Sequence, residues 1–465
     1  MDVAELLRRN RDAGLLRMVT IGHVDDGKST LIGRLLYESK SIYEDQLENV
    51  EKVSARMGRA GADLALLTDG LRAEREQGIT IDVAYRHFST PRRRFVIADC
   101  PGHEQYTRNM VTGASTSNVA VLLIDAQLGI TTQSRRHAFI ASLLGIPHVV
   151  VCVNKMDLVG WSREVYENIR AEYQSFAARL DVRDLAFIPV SALEGDNVVE
   201  RGAKCPWYRG PALLEHLESL YTGSDRNLVD FRLPVQYVLR QESEFRGYMG
   251  RVASGLLRPG DEVQVLPAGR KSRVKSVRGP DGEIPVAFPP MSVNVTLEDD
   301  LDVSRGDVLV HPGNLPRLGR ECEAELVWMS EEPMRPGRPC IIRHCTREVR
   351  GQFTRLNYRI DPEGLHRREA DRLGLNEIGR GELELYNDLH QELHFSNGLG
   401  LVTGYRPLDR LYLSLHAGGD QVFFPERPEY SLWGAFGGVS ARWEAGEAST
   451  LKARYRFRSD QFPDY

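Results

Sequence analysis

Cysteines are scarce in this sequence and are not spaced as metal ligands or as disulfide pairs. Only six occur in 465 residues, and none forms a Cys-x-x-Cys pair or a Cys/His combination with zinc-ligand spacing. We therefore expect reduced thiols. Neither a disulfide-stapled scaffold nor a structural zinc domain is predicted.

Long apolar runs and a surplus of positive charge are also missing. No stretch reaches the roughly 18 apolar residues of a membrane helix, and Met1–Arg17 has no apolar core of a signal peptide. A cytoplasmic protein without a membrane partner is therefore expected. The formal net charge of −5 gives no general signal for polyanion binding, so nucleic acid is disfavoured as a partner.

A glycine-rich loop is the most informative segment that is present. It follows the apolar run Leu15–Ile21, precedes a helix-like run, and reads Gly22-His23-Val24-Asp25-Asp26-Gly27-Lys28-Ser29-Thr30. In such a loop the backbone N–H groups cradle phosphates, Lys28 reaches the β- and γ-phosphates, and Ser29 offers a hydroxyl to Mg²⁺. A plain Gly-rich turn is the alternative, but the context predicts a site for a nucleoside triphosphate.

Two further segments supply other parts of such a site. The charged stretch Glu74–Ile81 contains Thr80, which could ligate Mg²⁺ only while a γ-phosphate is present, so it is a candidate switch loop. The predicted strand Arg94–Asp99 ends in a carboxylate, Asp99, that could hold Mg²⁺ indirectly.

The turn Cys100-Pro101-Gly102-His103 follows this strand directly. Gly102 can bring a backbone N–H to the γ-phosphate, and His103 can orient the attacking water. A histidine after Pro-Gly could also be an exposed turn residue. The neighbouring Asp99 favours the catalytic interpretation.

A second buried strand, His148–Val153, delivers Asn154-Lys155-Met156-Asp157 at its carboxyl end, where open α/β sheets bind ligands. The Asp157 carboxylate can accept both N1–H and the exocyclic amine of guanine. Asn154 would support the loop and Lys155 would cover the ring, which predicts GTP rather than ATP. The strand Ala186–Val190 ends in Ser191-Ala192-Leu193, whose backbone N–H could meet guanine O6.

From about Met18 to Glu218 the sequence resembles a translation-factor-type GTPase, and closely the large subunit of bacterial sulfate adenylyltransferase. The segments that carry the resemblance are Val24–Leu36, Glu104–Met110, Ala114–Ser117, Arg135–Ile140 and Pro206–Tyr208. Elongation factor Tu typically has His and Thr at the positions of Asp26 and Ser29. Cys100 departs from the sulfate family, which usually has Thr there, but the change is small and compatible with activity.

The resemblance implies a GTPase subunit that binds GTP and Mg²⁺ and uses Lys28, Thr80 and His103 in catalysis, with Ser29, Thr80 and Asp99 around the metal. Its partner, a small catalytic subunit, would join sulfate to ATP to form adenosine 5′-phosphosulfate and diphosphate, and GTP hydrolysis would be coupled to that reaction. The partner's Ser-Gly-Gly-x-Asp-Ser-like loop and a second Gly-x-x-x-x-Gly-Lys loop are absent from the sequence. We therefore expect this chain neither to transfer the adenylyl group alone nor to phosphorylate the product.

Two alternatives stay open. A translation-factor-like GTPase that binds tRNA or the ribosome would share the fold and all the nucleotide segments, but Asp26, Ser29 and the residues after His103 speak against it. The other alternative is a GTP-binding protein whose altered tail prevents productive coupling to a partner.

The sequence predicts a multidomain protein, with an α/β P-loop GTPase domain followed by β-barrel domains. We place the GTPase domain at 1–225, a β-barrel second domain at 226–316, a partial β-barrel third domain at 317–385 and an aromatic-rich β tail at 386–465. The two barrel predictions are based on short runs of β-branched residues that are separated by turn signals.

The resemblance ends near Leu385, and the last 80 residues carry 14 of the chain's 37 Phe, Trp and Tyr. Apolar residues alternate there as in amphipathic strands, at Leu411, Leu413 and Leu415 and again at Leu451, Ala453, Tyr455 and Phe457. Turns are predicted at Gly418-Gly419 and Gly437-Gly438. The tail is either a β extension that replaces part of the third domain or a fused or frame-shifted segment of foreign origin.

Overall fold

The computed structural model describes residues 14–40, 48, 50, 54, 64–67, 80–223, 226–241, 245–316 and 319–386, together with the backbone of four strands between 399 and 461. The chain divides into two compact units, Met1–Asn387 and Asp388–Tyr465. Each unit is described by itself below.

The first domain is a six-stranded sheet in the order β2-β3-β1-β4-β5-β6, in which only β2 runs antiparallel to its neighbour. Its strands are β1 (Leu15–Ile21), β2 (Ala84–Ser89), β3 (Arg94–Asp99), β4 (Val119–Asp125), β5 (His148–Asn154) and β6 (Asp184–Pro189). Every residue of β4 and β5 is buried, as expected for parallel strands covered on both faces.

Five helices accompany this sheet among the described residues: α1 (Lys28–Glu38), α2 (Thr107–Ala114), α3 (Thr132–Leu143), α4 (Arg163–Ala177) and α5 (Leu213–Ser219). The α4 helix illustrates why these segments form helices. The Ser162 hydroxyl caps its start by accepting from the Val165 N–H, and its buried face carries Tyr166, Ile169 and Tyr173. The carboxyl ends of β1, β3, β4 and β5 meet at one edge of the sheet. The phosphate loop, Asp99 with the turn after it, and the segment Asn154–Asp157 lie at or just after these ends.

The second domain is a closed barrel. Its strands are β7 (Arg232–Gln241), β8 (Phe245–Arg251), β9 (Glu262–Leu266), β10 (Lys271–Gly279), β11 (Gly282–Glu283), β12 (Ser292–Leu297) and β13 (Val308–Val310). The order β10-β12-β8-β7-β13-β9 returns to its start because β9 also pairs with β10. Its core includes Phe231, Tyr248 and Leu257.

The third domain is an open sheet in the order β14-β18-β16-β15, with β17 on β16. Its strands are β14 (Glu321–Val327), β15 (Pro339–His344), β16 (Arg347–Ile360), β17 (Arg367–Arg368) and β18 (Ile378–Leu385). Its buried core cluster consists of Met334, Leu356 and Leu373. These sheets confirm the predicted fold class. The domain boundaries stay predictions, and residues 224–225 and 317–318 lie outside the described part.

The second unit is an antiparallel meander of four strands, β19 (Leu399–Leu408), β20 (Leu411–Val422), β21 (Leu432–Gly446) and β22 (Ser449–Gln461). The turns predicted at Gly418-Gly419 and Gly437-Gly438 are wrong, because both pairs lie inside strands. In register, Gly418 pairs with Phe436 and Gly437 with Phe457. Glycine opposite an aromatic residue is a known strand pairing, and here the ladder outweighs the local turn signal.

No helix in the part of the chain described by the structure is long and apolar enough to cross a lipid bilayer.

Candidate functional site

The phosphate loop lies between β1 and α1, and its glycines are required by close backbone approaches. Gly27 has φ 89°, and a Cβ there would lie 2.4 Å from Asn154 Nδ2. Gly22 has φ 146°, and a Cβ there would lie 2.7 Å from the carbonyl oxygen of Leu123. No side chain caps the first turn of α1. The amides of this turn are therefore presented to the cavity, as an anion site requires.

Lys28 is buried and its ammonium is held by the loop itself. Its Nζ donates to the carbonyl oxygens of His23 at 2.6 Å and Gly22 at 3.3 Å. Burial lowers the pKa of Lys28, and the nearby Asp26 and Asp99 carboxylates oppose that shift. A phosphate would compensate the buried charge.

Three oxygen-bearing side chains are the predicted ligands of a divalent cation. The Ser29 and Thr80 hydroxyl oxygens lie 3.5 Å apart although the residues are far apart in sequence. Asp99 ends β3 and is 1% exposed. Hydroxyl and carboxylate oxygens are the hard ligands that Mg²⁺ prefers, and Mg²⁺ keeps several waters. The residues therefore fit Mg²⁺ together with a phosphate. The predicted switch segment before Thr80 lies outside the described residues.

The turn after β3 packs directly against the phosphate loop. A Cβ on Gly102 would lie 2.4 Å from Lys28 Nζ and 2.7 Å from the His23 carbonyl carbon, so only glycine allows this approach. His103 is half-buried, and its Nδ1 accepts from the Gln105 N–H at 3.3 Å. The neutral ring in this arrangement carries its proton on Nε2.

Cys100 and Pro101 lie behind the cavity and do not line it. Burial raises the pKa of the Cys100 thiol, so it stays protonated. A Cβ on Gly113 would lie 2.4 Å from Cys100 Sγ, which makes the residue a tightly packed part of the core.

Asn154 organises the part of the site that is predicted to bind the base, which we call the base end. Its Nδ2 donates to the Asp26 carbonyl oxygen at 2.7 Å, and its Oδ1 accepts from the Ala192 N–H at 2.9 Å. One buried amide thus joins the phosphate loop to the Ser191-Ala192-Leu193 segment. Ser191 lies beneath the cavity, with its Oγ accepting from the Glu194 N–H.

Lys155 and Asp157, the other two residues of the motif predicted to read the base, differ in their partners. Lys155 has φ 60° and its Nζ contacts Asp125 Oδ2 at 2.7 Å. Asp157 Oδ1 is buried without a hydrogen-bond partner among the described residues. A buried carboxylate oxygen of this kind is suited to a ligand N–H donor.

A cavity of about 400 Å³ joins the predicted segments. Its walls include Lys28, Thr80, His103, Asp157 and Leu193. The remaining residues of the phosphate loop that line it are Val24, Asp25, Gly27, Ser29 and Thr30, with Gly102, Asn154, Lys155 and Ala192 from the other segments. Gly22, His23, Asp26 and Asp99 are buried or half-buried and do not line it.

Three contributing residues were missed in the sequence. Asp125 ends β4 as Asp99 ends β3, so its place after a buried strand was an available signal. His137 on α3 accepts from the Gly22 N–H at 3.2 Å, and burial lowers its pKa to about 3. Arg34 donates to the Ala192 carbonyl oxygen at 3.2 Å and also to that of Leu193. His137 and Arg34 lie in segments that carry the family resemblance, but no local pattern indicated these contacts.

The fold and the site define a GTPase of the translation-factor type. Residues 14–228 match the family model of the elongation factor Tu GTP binding domain, and residues 321–398 match the model described as GTP-eEF1A C-terminal domain-like. The second match continues past Leu385, where the sequence resemblance was expected to end.

Curated relatives make the assignment more specific. Sulfate adenylyltransferase subunit 1 of Bacteroides fragilis (strain YCH46) is 55% identical over 382 residues, which cover 82% of this chain and 80% of that protein. The bifunctional enzyme CysN/CysC of Mycobacterium tuberculosis (strain ATCC 25618 / H37Rv) is 56% identical over 375 residues, which cover 79% of this chain but 61% of that protein. The chain belongs to the sulfate adenylyltransferase subunit 1 family.

Proposed function

We propose that this chain hydrolyses GTP and couples the hydrolysis to formation of adenosine 5′-phosphosulfate from ATP and sulfate by a separate catalytic subunit. The observation that carries the proposal is the single cavity in which Lys28, Thr80, His103 and Asp157 converge, in a chain of this family. The name "subunit 1" of the relatives supports a partner subunit.

At the phosphate end, Lys28 would exchange its contacts with loop carbonyls for contacts with the β- and γ-phosphates, joined by the amides of α1. Ser29, Thr80 and Asp99 would hold Mg²⁺, which neutralises phosphate charge when bound. Positioning and charge neutralisation then supply most of the rate, so no protein nucleophile is required.

At the γ-phosphate, a water molecule would attack phosphorus in line with the leaving oxygen of GDP, giving GDP and inorganic phosphate. His103 is the residue we assign to orienting this water. Its Nδ1 is already bound to the Gln105 N–H, so Nε2 is the ring atom left to face the water. Gly102 would offer its amide to the γ-phosphate.

At the base end, the Asp157 carboxylate would accept from guanine N1–H and from the exocyclic amine. Adenine has no matching donor pair there, so the carboxylate selects GTP over ATP. The contacts of Lys155 with Asp125 and of Asn154 with Ala192 hold the surrounding walls in place.

The decisive experiment combines a pull-down with the small sulfate adenylyltransferase subunit and a sulfate-dependent assay of diphosphate release. We expect complex formation and release stimulated by GTP, with stimulation lost in His103→Ala while GTP still binds. Retention of tRNA without stimulation would instead favour the translation-factor alternative. GTP binding with neither result would indicate an uncoupled protein.

A further inference from the structure

The phosphate loop contains a buried carboxylate that the hydrolysis mechanism does not use. Asp26 is 2% exposed and lies one residue before Gly27. Its Oδ2 accepts from the His23 N–H at 2.6 Å, and its carbonyl oxygen accepts from Asn154 Nδ2 at 2.7 Å. A Cβ on Gly22 would lie only 3.0 Å from the same Oδ2. The carboxylate is therefore buried beneath the loop and held there by the His23 N–H.

The side chains of Asp26 and Lys28 both form hydrogen bonds with the backbone of His23. The Asp26 carboxylate holds the N–H of His23, and the Lys28 ammonium holds its carbonyl oxygen. Burial raises the pKa of Asp26, and Lys28 is the strongest charge opposing that rise. Asp26 is likewise the strongest charge that opposes the lowering of the Lys28 pKa. The two opposite charges therefore compensate each other in part.

A phosphate must compete with Asp26 for the charge of Lys28. The other lysine on the described walls of the cavity is Lys155, which contacts Asp125 at 2.7 Å. Asp26 also repels the phosphates directly, and in a poorly solvated site such repulsion is weakly screened.

We propose that Asp26 determines nucleotide affinity in this chain, because its carboxylate weakens the binding of guanosine polyphosphates, GTP more than GDP, and thereby speeds their release. The larger effect on GTP follows from its additional phosphate charge. This inference rests on the proposed function and specifies how the same site is regulated.

The test is Asp26→Asn, which removes the charge but keeps an oxygen that can accept from the His23 N–H. We expect the dissociation constant for GTP to fall about tenfold, that for GDP to fall less, and release to slow in proportion. Labelled nucleotides at fixed Mg²⁺ give affinities by equilibrium dialysis and release rates by chase. The control is Asp181→Asn, which removes one exposed carboxylate from the same domain and should change affinity less than about twofold.

A second variant and a melting curve separate charge from folding. Asp26→Ser keeps a hydroxyl acceptor near His23 and should also bind GTP more tightly than the unmodified chain. If both variants melt like the unmodified chain and bind GTP equally or less tightly, the inference is wrong. If the unmodified chain binds no GTP, the proposed function itself fails before Asp26 is considered.

Discussion

At the base end of the cavity, groups from different segments hold one another in place, whereas the hydrogen bonds of Lys28 at the phosphate end, among the described residues, go to carbonyl oxygens of its own loop. Asn154 joins Asp26 to Ala192, and Arg34 donates to the carbonyl oxygen of Ala192. Lys28 instead contacts Gly22 and His23, which belong to the loop that would receive the phosphates.

This difference predicts that substitutions at the two ends will have different effects on nucleotide affinity and on the free energy of unfolding. The base end is assembled before GTP arrives, so its internal bonds contribute to folding as well as to binding. At the phosphate end, the buried Lys28 ammonium and Asp26 carboxylate compensate each other only in part, because both are desolvated. Substitution there should change binding while changing the free energy of unfolding little.

The largest effect is expected for Lys28→Ala at the phosphate end. Loss of charge-assisted hydrogen bonds to the phosphates should weaken GTP binding by about 100-fold. The thermal midpoint of the ligand-free protein should fall only slightly, because relief of the desolvation of the lysine offsets part of the cost of leaving the buried Asp26 carboxylate without its opposing charge. Lys275→Ala, which removes an exposed lysine from β10, is the control for affinity. Unchanged GTP affinity would contradict the role assigned to Lys28.

The next effect is expected for Asp157→Asn at the base end. A carboxylate accepts from two donors, whereas an amide presents one mismatched N–H, so GTP affinity should fall by about 30-fold. ATP affinity should not fall, and the preference for guanine is therefore relaxed. Competition of ATP against labelled GTP measures this preference. If the competition is the same as in the unmodified chain, Asp157 does not read the base.

Asn154→Ala provides the sharpest comparison between the two ends. It leaves the Asp26 carbonyl oxygen and the Ala192 N–H without their present partner, at a cost of about 2 kcal/mol in the free energy of unfolding. GTP and GDP affinities should fall together, by about tenfold, because the bond acts on the loop rather than on the γ-phosphate. Denaturant unfolding and nucleotide titration measure the two quantities. A loss of affinity at unchanged stability would mean that the base end is not assembled in advance.

Much of this site was accessible from the sequence because parallel strands bring their carboxyl ends to one edge. Lys28 follows β1, and Asp99 and Asn154 end β3 and β5, so local motifs were sufficient to predict that these segments meet at one edge of the sheet. Contacts made by helices were not accessible in this way. His137 reaches Gly22 only because α3 packs beside β4, and no pattern around position 137 encodes that contact.

In the tail, the turn predictions failed for the opposite reason: a local sequence signal was given too much weight. A Gly-Gly pair is a good turn signal when only neighbours in sequence are considered. Cross-strand pairing along β20, β21 and β22 overrides it, because twelve or more residues per strand pair in a continuous register. The length of the ladder is a property of three segments together and cannot be derived from one dipeptide.

The smallest effect concerns His137, which supports the phosphate end from α3. Burial lowers its pKa to about 3 from an ordinary value of 6.5, so the folded protein keeps the ring neutral between these values. The unfolded chain binds a proton below about pH 6.5. As the pH decreases, the free energy of unfolding should therefore decrease, by up to about 1.4 kcal/mol per pH unit. That loss begins as pH drops through the unfolded value and ends near the folded one.

His137→Gln tests this expectation because its amide oxygen can still accept from the Gly22 N–H while carrying no titratable group. Between about pH 7 and about pH 5, the urea midpoint of this variant should fall less than that of the unmodified chain. GTP affinity near neutral pH should change little, since the ring is neutral there and the hydrogen bond to the loop is retained. Equal acid losses in the two proteins would mean that His137 is not held neutral behind the loop, and the support it gives to Gly22 would then require another explanation.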